Sequence, residues 1–267
     1  MRFSLFRETV RSYYVTNNRK FPWRETDDPY RIFVSEIMLQ QTQVNRVIDK
    51  YLSFIAAFPN IYALARAPLN AILAKWQGLG YNRRALYLKQ TAVIVSGKLQ
   101  GVFPTDKKIL QSLPGIGPNT AGAILAYAFN IPALFIETNI RSVYLHHFFP
   151  NKPGIHDREI IPLIKKTIDL KNPREWYWAL MDYGTFIKKT YKNPGRESAH
   201  YSKQSVFSGS ARQLRGQIIR ELLKHGHRTK KELLQSTDML RGNAILDKLI
   251  EDGLIILSDK QYTIRQN

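Results

Sequence analysis

The stretch that decides the fold reads LPGIGPNTAG over residues 113–122, between a short helical pattern at 106–112 and an apolar helix beginning at Pro118. Gly115 and Gly117 let the turn adopt positive φ values and expose backbone N–H groups. Pro118 suits the first position of a helix, where a missing N–H costs nothing. Because unpaired amides at a helix N-terminus attract anions, the turn predicts a hairpin that grips a nucleic-acid backbone without reading bases. Taken alone, the turn also fits an ordinary helix–turn–helix.

The charge of the chain, like the hairpin, indicates an anionic partner. Its 267 residues include 40 Lys and Arg against 21 Asp and Glu, giving a net charge of +19. Such a surplus attracts polyanions, although lysine can also serve solubility alone. A hydrophobic content of 44% supports a real core in one large or two modest domains. We favour a nucleic-acid partner because the hairpin supplies an independent phosphate site.

Cysteine is absent from the chain. This excludes disulfides, thiolate metal sites and a cysteine nucleophile. The first residues lack a long apolar segment, and no apolar run approaches the ~18 residues of a membrane span. We therefore expect a cytoplasmic, nucleoid-associated location without a membrane partner. We also expect a monomer.

Apolar spacings of three and four recur along the chain, which predicts a mainly helical protein. Phe3, Phe6, Val10 and Tyr13 mark the first helix. The other helices predicted before residue 188 cover 29–39, 44–57, 60–66, 68–76, 83–98, 106–112, 118–129, 139–148, 157–168 and 173–187.

The end of the chain has a different pattern. Residues 188–205 are basic and rich in helix breakers, which predicts a linker lying on an anionic partner or a solvated loop. Residues 206–267 predict three helices followed by a β-hairpin, with Thr229 and Glu232 forming a capping box. This small α+β module is winged-helix-like. It carries only +4 of the net charge, so residues 1–205 are expected to form the main DNA-binding region.

Several motifs occur in a fixed order before residue 190. They are FPWR at 21–24, DPY at 28–30, SEIMLQQTQV at 35–44, WQGLGY at 76–81 and PGIG at 114–117. Together they resemble the helix-hairpin-helix (HhH-GPD) DNA glycosylases, and specifically the MutY-like adenine DNA glycosylases. The resemblance implies an all-α glycosylase domain over 1–205. One lobe would cover about 22–130, and the other would combine about 1–21 with 131–205. Residues 206–267 would form the separate winged-helix-like domain.

Glu36 is the candidate acid. On a helix beginning near Pro29, it shares a face with Leu39, Gln40 and Gln43, apart from the apolar side chains. Breaking the bond between a purine and its sugar needs a proton from a positioned acid, and the resemblance gives this position that role. A solvated surface glutamate is the plain alternative.

Glu137 occupies the position where the resemblance places an aspartate that stabilises the cationic sugar. The extra methylene moves the carboxylate by ~1.5 Å, and such a misplacement can cost ~100-fold in rate. Three outcomes stay open: Glu137 works with a readjusted backbone, Asp182 takes part, or activity is low. A simple ion pair between Glu137 and Arg141 is a further alternative.

Asn119 stands in the hairpin where bifunctional relatives carry lysine. Because asparagine cannot form a Schiff base with the sugar, the resemblance implies a monofunctional enzyme without efficient lyase activity. Asn119 would act near the sugar or the attacking water, or merely pack at the helix start.

An enzyme that acts on a duplex base must extrude it and fill the gap. By the resemblance, Gln41 and Tyr81 are the wedge candidates, and packing in the core is the alternative for Tyr81. The other expected DNA contacts are Asn82, Arg83, Gly115, Gly117, Lys188 and Lys189. The expected base pocket comprises Trp23, Arg24, Leu39 and Gln40.

Relatives usually bind a [4Fe–4S] cluster through four cysteines after the last helix, but this chain has the basic segment there. We therefore expect no cofactor, while a monovalent cation at 113–117 stays open. The usual C-terminal domain for examining 8-oxoguanine is replaced by the module at 206–267.

The combined expectation is hydrolysis of the N-glycosidic bond of adenine mispaired with 8-oxoguanine or guanine in double-stranded DNA. A thymine or uracil mismatch glycosylase and a non-catalytic DNA lesion-binding protein are the alternatives. The pattern around Glu36 argues against the binder, because DNA affinity needs no acid within that helix.

Overall fold

The fold comes from a computed structural model that describes residues 1–203, 206–235 and 238–266. Most described residues are helical, and a small antiparallel sheet lies near the C-terminus. The α-helices are α1 (Phe3–Asn17), α2 (Pro29–Leu39), α3 (Val44–Ala57), α4 (Ile61–Arg66), α5 (Leu69–Trp76), α6 (Arg83–Gly97), α7 (Lys107–Ser112), α8 (Pro118–Phe129), α9 (Thr138–Phe148), α10 (Asp157–Thr167), α11 (Pro173–Thr190), α12 (Ala211–His225), α13 (Lys230–Leu233) and α14 (Met239–Glu251). The strands are β1 (His227–Thr229), β2 (Ile255–Ser258) and β3 (Gln261–Ile264).

The predicted all-α class and the predicted helices are confirmed, most of them to within one residue. The main difference lies at the end of α11. This helix continues to Thr190, because the N–H of Tyr191 still bonds to the carbonyl of Ile187 at 2.9 Å. Residues 188–190 therefore belong to a helix, and the prediction that the linker begins there was wrong. None of the helices within the described ranges is long and apolar enough to span a membrane.

Contacts divide the chain into two compact units. Unit 1 comprises residues 1–33, 105–112 and 116–203, and unit 2 comprises residues 34–104, 113–115 and 204–267. In this grouping the predicted module at 206–267 belongs with residues 34–104. Its predicted boundary at residue 205 falls on residues 204 and 205, which lie outside the described ranges. The assignment of domains stays a prediction.

Unit 1 is built around aromatic packing between α1, α9 and α11. Phe6 of α1 is fully buried, and its ring lies 5.2 Å from Tyr144 and 6.1 Å from Trp176, measured between centroids. Burying large aromatic side chains supplies much of the hydrophobic free energy of a core. The helix that carries Glu137 at its start, α9, is thereby held against α11.

Unit 2 has a core of apolar side chains from α3, α5 and α6. Phe54, Ile72, Trp76 and Leu88 are fully buried there. The indole N–H of Trp76 donates to the carbonyl of Gly80 at 3.0 Å, so the core also fixes the turn before α6. A buried indole usually needs such a partner.

The C-terminal part of unit 2 has the element order predicted for a winged helix, with one strand more. The sheet is antiparallel in the order β1, β3, β2, and Arg228 faces Tyr262 across β1 and β3. The Thr229–Glu232 capping box is confirmed at α13. The sequence pattern missed β1 because a three-residue strand leaves almost no periodicity.

Candidate active site

In unit 2, Glu36 lies on the half-buried face of α2. Its neighbours Ser35 and Ile37 are almost fully buried, and Met38 is fully buried. Glu36 itself is half-buried, as are Leu39 and Gln40, whereas Gln43 is exposed. The predicted apolar face of α2 is confirmed. The predicted polar face was wrong beyond Leu39, because α2 ends there and Gln40 and Gln43 lie outside the helix, with Gln43 at the N-cap of α3. Glu36 thus lies at the edge of an apolar core.

A buried arginine, Arg84 of α6, holds the C-terminal end of α2. Its Nη1 donates to the carbonyl oxygens of Ile37, Met38 and Gln40 at 2.8, 2.9 and 2.6 Å. These carbonyls lie at the helix end, where they have no partner within the helix. Arg84 thereby satisfies them and fixes the backbone that follows Glu36.

The same guanidinium also joins the turn before α6. Nη2 of Arg84 donates to the carbonyl of Gly80 at 3.0 Å and to Thr42 Oγ1 at 3.0 Å. Burial lowers the pKa of Arg84 to about 10, with Arg46 lowering it further and Tyr81 opposing this effect. Arg84 therefore remains charged near neutral pH, and it organises both predicted wedge segments. Sequence reasoning assigned it no role, because nothing marked its helical position as buried.

The wedge candidates in unit 2 both have left-handed backbone. Gln41 has φ of 54° and Tyr81 has φ of 50°, which is uncommon for residues other than glycine. Gln41 is exposed and Tyr81 half-buried. Such conformations cost free energy and tend to cluster at functional sites. Next to Tyr81, Asn82 is buried, while the exposed Arg83 lies 3.3 Å from Asp252.

The turn at 113–115 lies in unit 2 and is tied to it by two carbonyls. Pro114 accepts a hydrogen bond from Thr91 Oγ1 at 3.0 Å, and Gly115 accepts one from Gln40 Nε2 at 3.2 Å. The structure thus brings Gln40 and Gly115 together. Gly115 has φ of 77°, and a Cβ there would lie 2.8 Å from the Cβ of Tyr87, so only glycine fits. A cation at 113–117 stays a prediction.

In unit 1, Glu137 occupies the N-cap position of α9. Its side chain makes no capping hydrogen bond. Burial raises the pKa of the Glu137 carboxyl, and the charge of Arg141 opposes this effect. Arg141 itself binds Asp157 through two hydrogen bonds of 2.7 and 2.8 Å. Because the guanidinium is directed to Asp157, the alternative of a simple Glu137–Arg141 ion pair is disfavoured.

Asn119, also in unit 1, holds the segment just before Glu137. Its Nδ2 donates to the carbonyl of Ile136 at 2.8 Å, and its Oδ1 accepts from the N–H of Ile136 at 3.2 Å. Gly117 precedes it as the N-cap of α8, is exposed, and has φ of −83° rather than the positive value predicted. The amide of Asn119 therefore has a positioning role that sequence spacing did not reveal.

The start of α9 lies very close to α11. A Cβ on Gly184 would lie 2.4 Å from the carbonyl oxygen of Asn139, so the two backbones meet there. Lys188 donates to Asn139 Oδ1 at 3.2 Å, and burial lowers the pKa of Lys188. Lys189 is exposed. Of the two lysines predicted to contact DNA, one is thus committed to the helix start beside Glu137.

The predicted pocket residues Trp23 and Arg24 take part in a different cluster of unit 1. Trp23 is buried and stacks on Phe21 at 5.1 Å. Arg24 donates to both carboxylate oxygens of Asp182 at 2.8 and 2.9 Å. Arg19 binds the same carboxylate, which is almost fully buried. Two cations neutralise Asp182, which fits a structural ion cluster better than a share in catalysis.

Comparison with known proteins identifies the family. Residues 34–161 match the HhH-GPD superfamily of base excision DNA repair proteins. This part of the chain is an HhH-GPD domain. The predicted resemblance is therefore confirmed. It covers Glu36, Asn119 and Glu137, and it extends from α2 into α10.

Several relatives bear the name adenine DNA glycosylase. The protein of Buchnera aphidicola subsp. Baizongia pistaciae is 40% identical over 188 residues, which cover 68% of this chain and 53% of that protein. The protein of Mycolicibacterium smegmatis is 28% identical over 272 residues, covering 91% of this chain and 90% of that protein. The chain thus spans little more than half the length of the Buchnera protein.

Solved structures resemble this chain as well. A thermostable thymine-DNA glycosylase matches with a TM-score of 0.63 and 26% identity, covering 72% of this chain and 90% of that one. A trapped endonuclease III–DNA covalent intermediate matches with a TM-score of 0.58 and 17% identity, covering 79% and 92%. The second match supports the fold alone.

The iron–sulfur cluster that the family resemblance raises does not fit this chain. Such clusters are held by cysteine thiolates, and the sequence contains no cysteine. Instead, the residues after α11 are tied to the rest of unit 1 by backbone hydrogen bonds. The N–H of Ile155 donates to Glu197 at 3.1 Å, and the N–H of Ala199 donates to Ile155 at 3.0 Å.

Proposed function

We propose that this chain is a monofunctional DNA glycosylase that removes adenine mispaired with 8-oxoguanine or guanine in double-stranded DNA. The observation that carries the proposal is Glu36 on the half-buried face of α2, with the backbone after it held by Arg84. The names of the relatives in Buchnera and Mycolicibacterium support adenine as the base. The net charge of +19 suits a DNA partner.

In the proposed reaction, the bond between the base nitrogen and the sugar carbon breaks, and the base leaves with the electron pair. Glu36 gives its proton to the departing base, because an anionic purine is a poor leaving group. Water then forms the new bond to the sugar carbon, and its proton returns to the Glu36 carboxylate. The products are the free base and an abasic site.

Glu137 has the proposed role of stabilising the positive charge that develops on the sugar. Burial raises its pKa, so the ionised form is destabilised until a cation lies next to it. A carboxylate in that state gains more from a developing cation than a well-solvated one does. Asn119 supports this role by holding Ile136, and it offers no amine that could attack the sugar.

A thymine or uracil mismatch glycosylase is the second candidate, favoured by the 26% identity to the thermostable thymine-DNA glycosylase. A duplex panel separates the two candidates. It contains A:8-oxoG, A:G, T:G, U:G and hypoxanthine pairs, and alkali converts abasic sites into strand breaks. Excision of adenine alone supports the proposal, whereas excision of thymine or uracil alone replaces it with the second candidate.

Replacement of Glu36 by glutamine tests the acid directly. We expect Glu36→Gln to abolish excision while duplex affinity survives, because the amide keeps the shape and loses the proton. Glu25→Gln is the matched control, since Glu25 is exposed. Turnover by Glu36→Gln close to that of the natural chain would refute the assignment.

Replacement of Glu137 tests the second carboxyl. Glu137→Ala should cost at least tenfold (about 1.4 kcal/mol) in single-turnover rate. Glu137→Asp should retain or raise the rate, since the charge is the same and aspartate caps a helix better. An unaffected alanine variant would move the role to another residue.

A further inference from the structure

A pocket in unit 2 lies between the predicted wedge and the C-terminal module. Its volume is about 380 Å³, and its lining includes Gln40, Gln41, Tyr81, Arg212, Arg215 and Gly216. This volume falls in the range of small-molecule sites. Gln40, Gln41 and Tyr81 belong to the two turns that Arg84 joins by hydrogen bonds. The other three residues belong to α12.

Arg212 of α12 holds the ring of Tyr81. Its Nη1 donates to the Tyr81 hydroxyl at 2.9 Å, and its guanidinium carbon lies 5.4 Å from the ring centroid. The guanidinium carbon of Arg84 lies 5.5 Å from the same centroid. Two cations against one ring stabilise its position. The module therefore fixes the side chain of a residue whose backbone is already strained.

An ion cluster fixes α12 next to this pocket. Asp252, at the end of α14, is buried and binds Arg215 at 2.5 Å and Arg83 at 3.3 Å. Arg83 begins α6, directly after the turn that carries Tyr81. Because one carboxylate joins α12 to the start of α6, the module and the wedge turn have a defined spacing. The ion cluster therefore sets the position of Arg212 relative to the turn that carries Tyr81.

The chemistry of the lining favours a base with acceptors on its edge. Arginine at a base edge pairs most often with the O6 and N7 acceptors of guanine. Gln41 adds a side-chain amide, which offers both a donor and an acceptor. Four arginines line the pocket against one carboxylate, which is itself paired with two of them. The excess charge excludes a cationic ligand.

We propose that this pocket takes the base opposite the excised one, a guanine or 8-oxoguanine, and that Arg212 of the C-terminal module determines this specificity. The inference rests on the proposed function, because it assumes that the chain extrudes one base of a pair. It assigns to α12 the examination of the partner base. Phosphate binding by the same arginines is the competing outcome.

Binding to duplexes that cannot be cleaved tests this pocket separately from catalysis. The probes carry 2′-fluoro-deoxyadenosine opposite guanine, 8-oxoguanine, cytosine or a tetrahydrofuran abasic analogue, and fluorescence anisotropy gives each Kd. The natural chain should prefer guanine and 8-oxoguanine. Arg212→Met should lose this preference by about tenfold, as expected for one bidentate contact, and Arg212→Lys should lose it despite keeping the charge.

Two further variants separate base recognition from charge and from folding. Arg220→Met is the matched control, since Arg220 lies on the same helix but is exposed. Gly216→Leu fills the pocket without removing a charge, because a Cβ at Gly216 meets no atom within 4 Å. It should abolish the preference while Arg212 remains. Thermal melting checks that each variant is folded.

The results have distinct meanings. If Arg212→Met weakens every duplex equally and lowers the salt dependence, Arg212 contacts phosphate and the inference is overturned. The same holds if Gly216→Leu retains the preference, or if the natural chain has none. The proposed function fails on a different measurement, namely the absence of adenine excision, and that failure leaves the binding comparison intact.

Discussion

The backbone beside Glu36 is held by a charged side chain, whereas the backbone beside Glu137 is held by a neutral one. After Glu36, one buried cation, Arg84, binds the carbonyls of α2 and of a distant turn. Before Glu137, the neutral amide of Asn119 holds Ile136. A charged anchor can serve many acceptors at once, but its loss leaves all of them unsatisfied. The neutral anchor serves the N–H and the carbonyl of a single residue. The effect of its loss should therefore be smaller and more local.

The largest effect is expected for Arg84→Met, which removes the charged anchor. Each buried acceptor left without a partner costs about 1–3 kcal/mol, so the free energy of unfolding should fall by at least about 3 kcal/mol. Excision should fall by roughly 100-fold or more, because α2 carries Glu36. Urea unfolding and single-turnover kinetics measure the two effects.

Arg66→Met is the control for that variant, since Arg66 is exposed in the last turn of α4. Arg84→Lys separates the effect of charge from that of hydrogen-bond geometry, because lysine keeps the charge but cannot bind both turns with one planar group. An Arg84→Met protein as stable and active as the natural chain would remove the basis of the comparison.

A somewhat smaller effect is expected for Gly184→Ala. The new Cβ would lie 2.4 Å from the Asn139 carbonyl, so α9 must shift away from α11. Forcing extra volume into a packed contact costs about 1–3 kcal/mol. The shift would move Glu137 and lower the excision rate by roughly tenfold or more. Gly97→Ala is the control, since a Cβ there meets nothing within 4 Å; equal behaviour of the two variants would contradict this prediction.

Asn119→Ala removes the neutral anchor and should act mainly on catalysis. Loss of two hydrogen bonds to Ile136 should reduce the single-turnover rate by about tenfold, with a stability loss of about 1–2 kcal/mol. Asn119→Asp keeps the acceptor for the Ile136 N–H and loses the donor, so it should give an intermediate rate. If the alanine variant lost stability but no activity, Asn119 would serve packing alone.

The smallest effect, and one of opposite sign, is expected for the stability of Glu137→Gln. Because burial raises the folded-state pKa of Glu137, the folded state holds its proton more tightly than the unfolded state does. Ionisation therefore destabilises the natural chain as pH rises above the ordinary value of 4.5. The glutamine variant should melt at a higher temperature at pH 7, and this gain should vanish below about pH 4.5. A gain that is equal at every pH would contradict the assignment.

Sequence periodicity predicted the helices well because each buries a continuous apolar face. It placed α2, α3 and α8 at their observed bounds, and it identified the apolar face of α2 that lies beside Glu36. These features depend on residues within about a dozen positions of each other. Local patterns of this kind are what spacing rules can detect.

The supports of the site depend on contacts that spacing cannot detect. Arg84 meets the end of α2 across more than forty residues of chain, and Arg24 meets Asp182 across 158. Asn119, on α8, binds Ile136 in the segment before α9. Each of these polar groups looks like an ordinary surface residue in the sequence, because only the tertiary fold gives it partners.

The arrangement around Arg84 also restricts how this chain can diverge. The end of α2, the turn after it and the turn before α6 all direct oxygen atoms to one guanidinium. An insertion in any of these stretches would move its oxygen atom beyond hydrogen-bond distance of Arg84. The guanidinium would then shift and weaken its bonds to the other two stretches. We therefore expect these three stretches to change length only together. In homologues, new substrate specificity is therefore expected to arise from side-chain substitutions on a backbone of constant length.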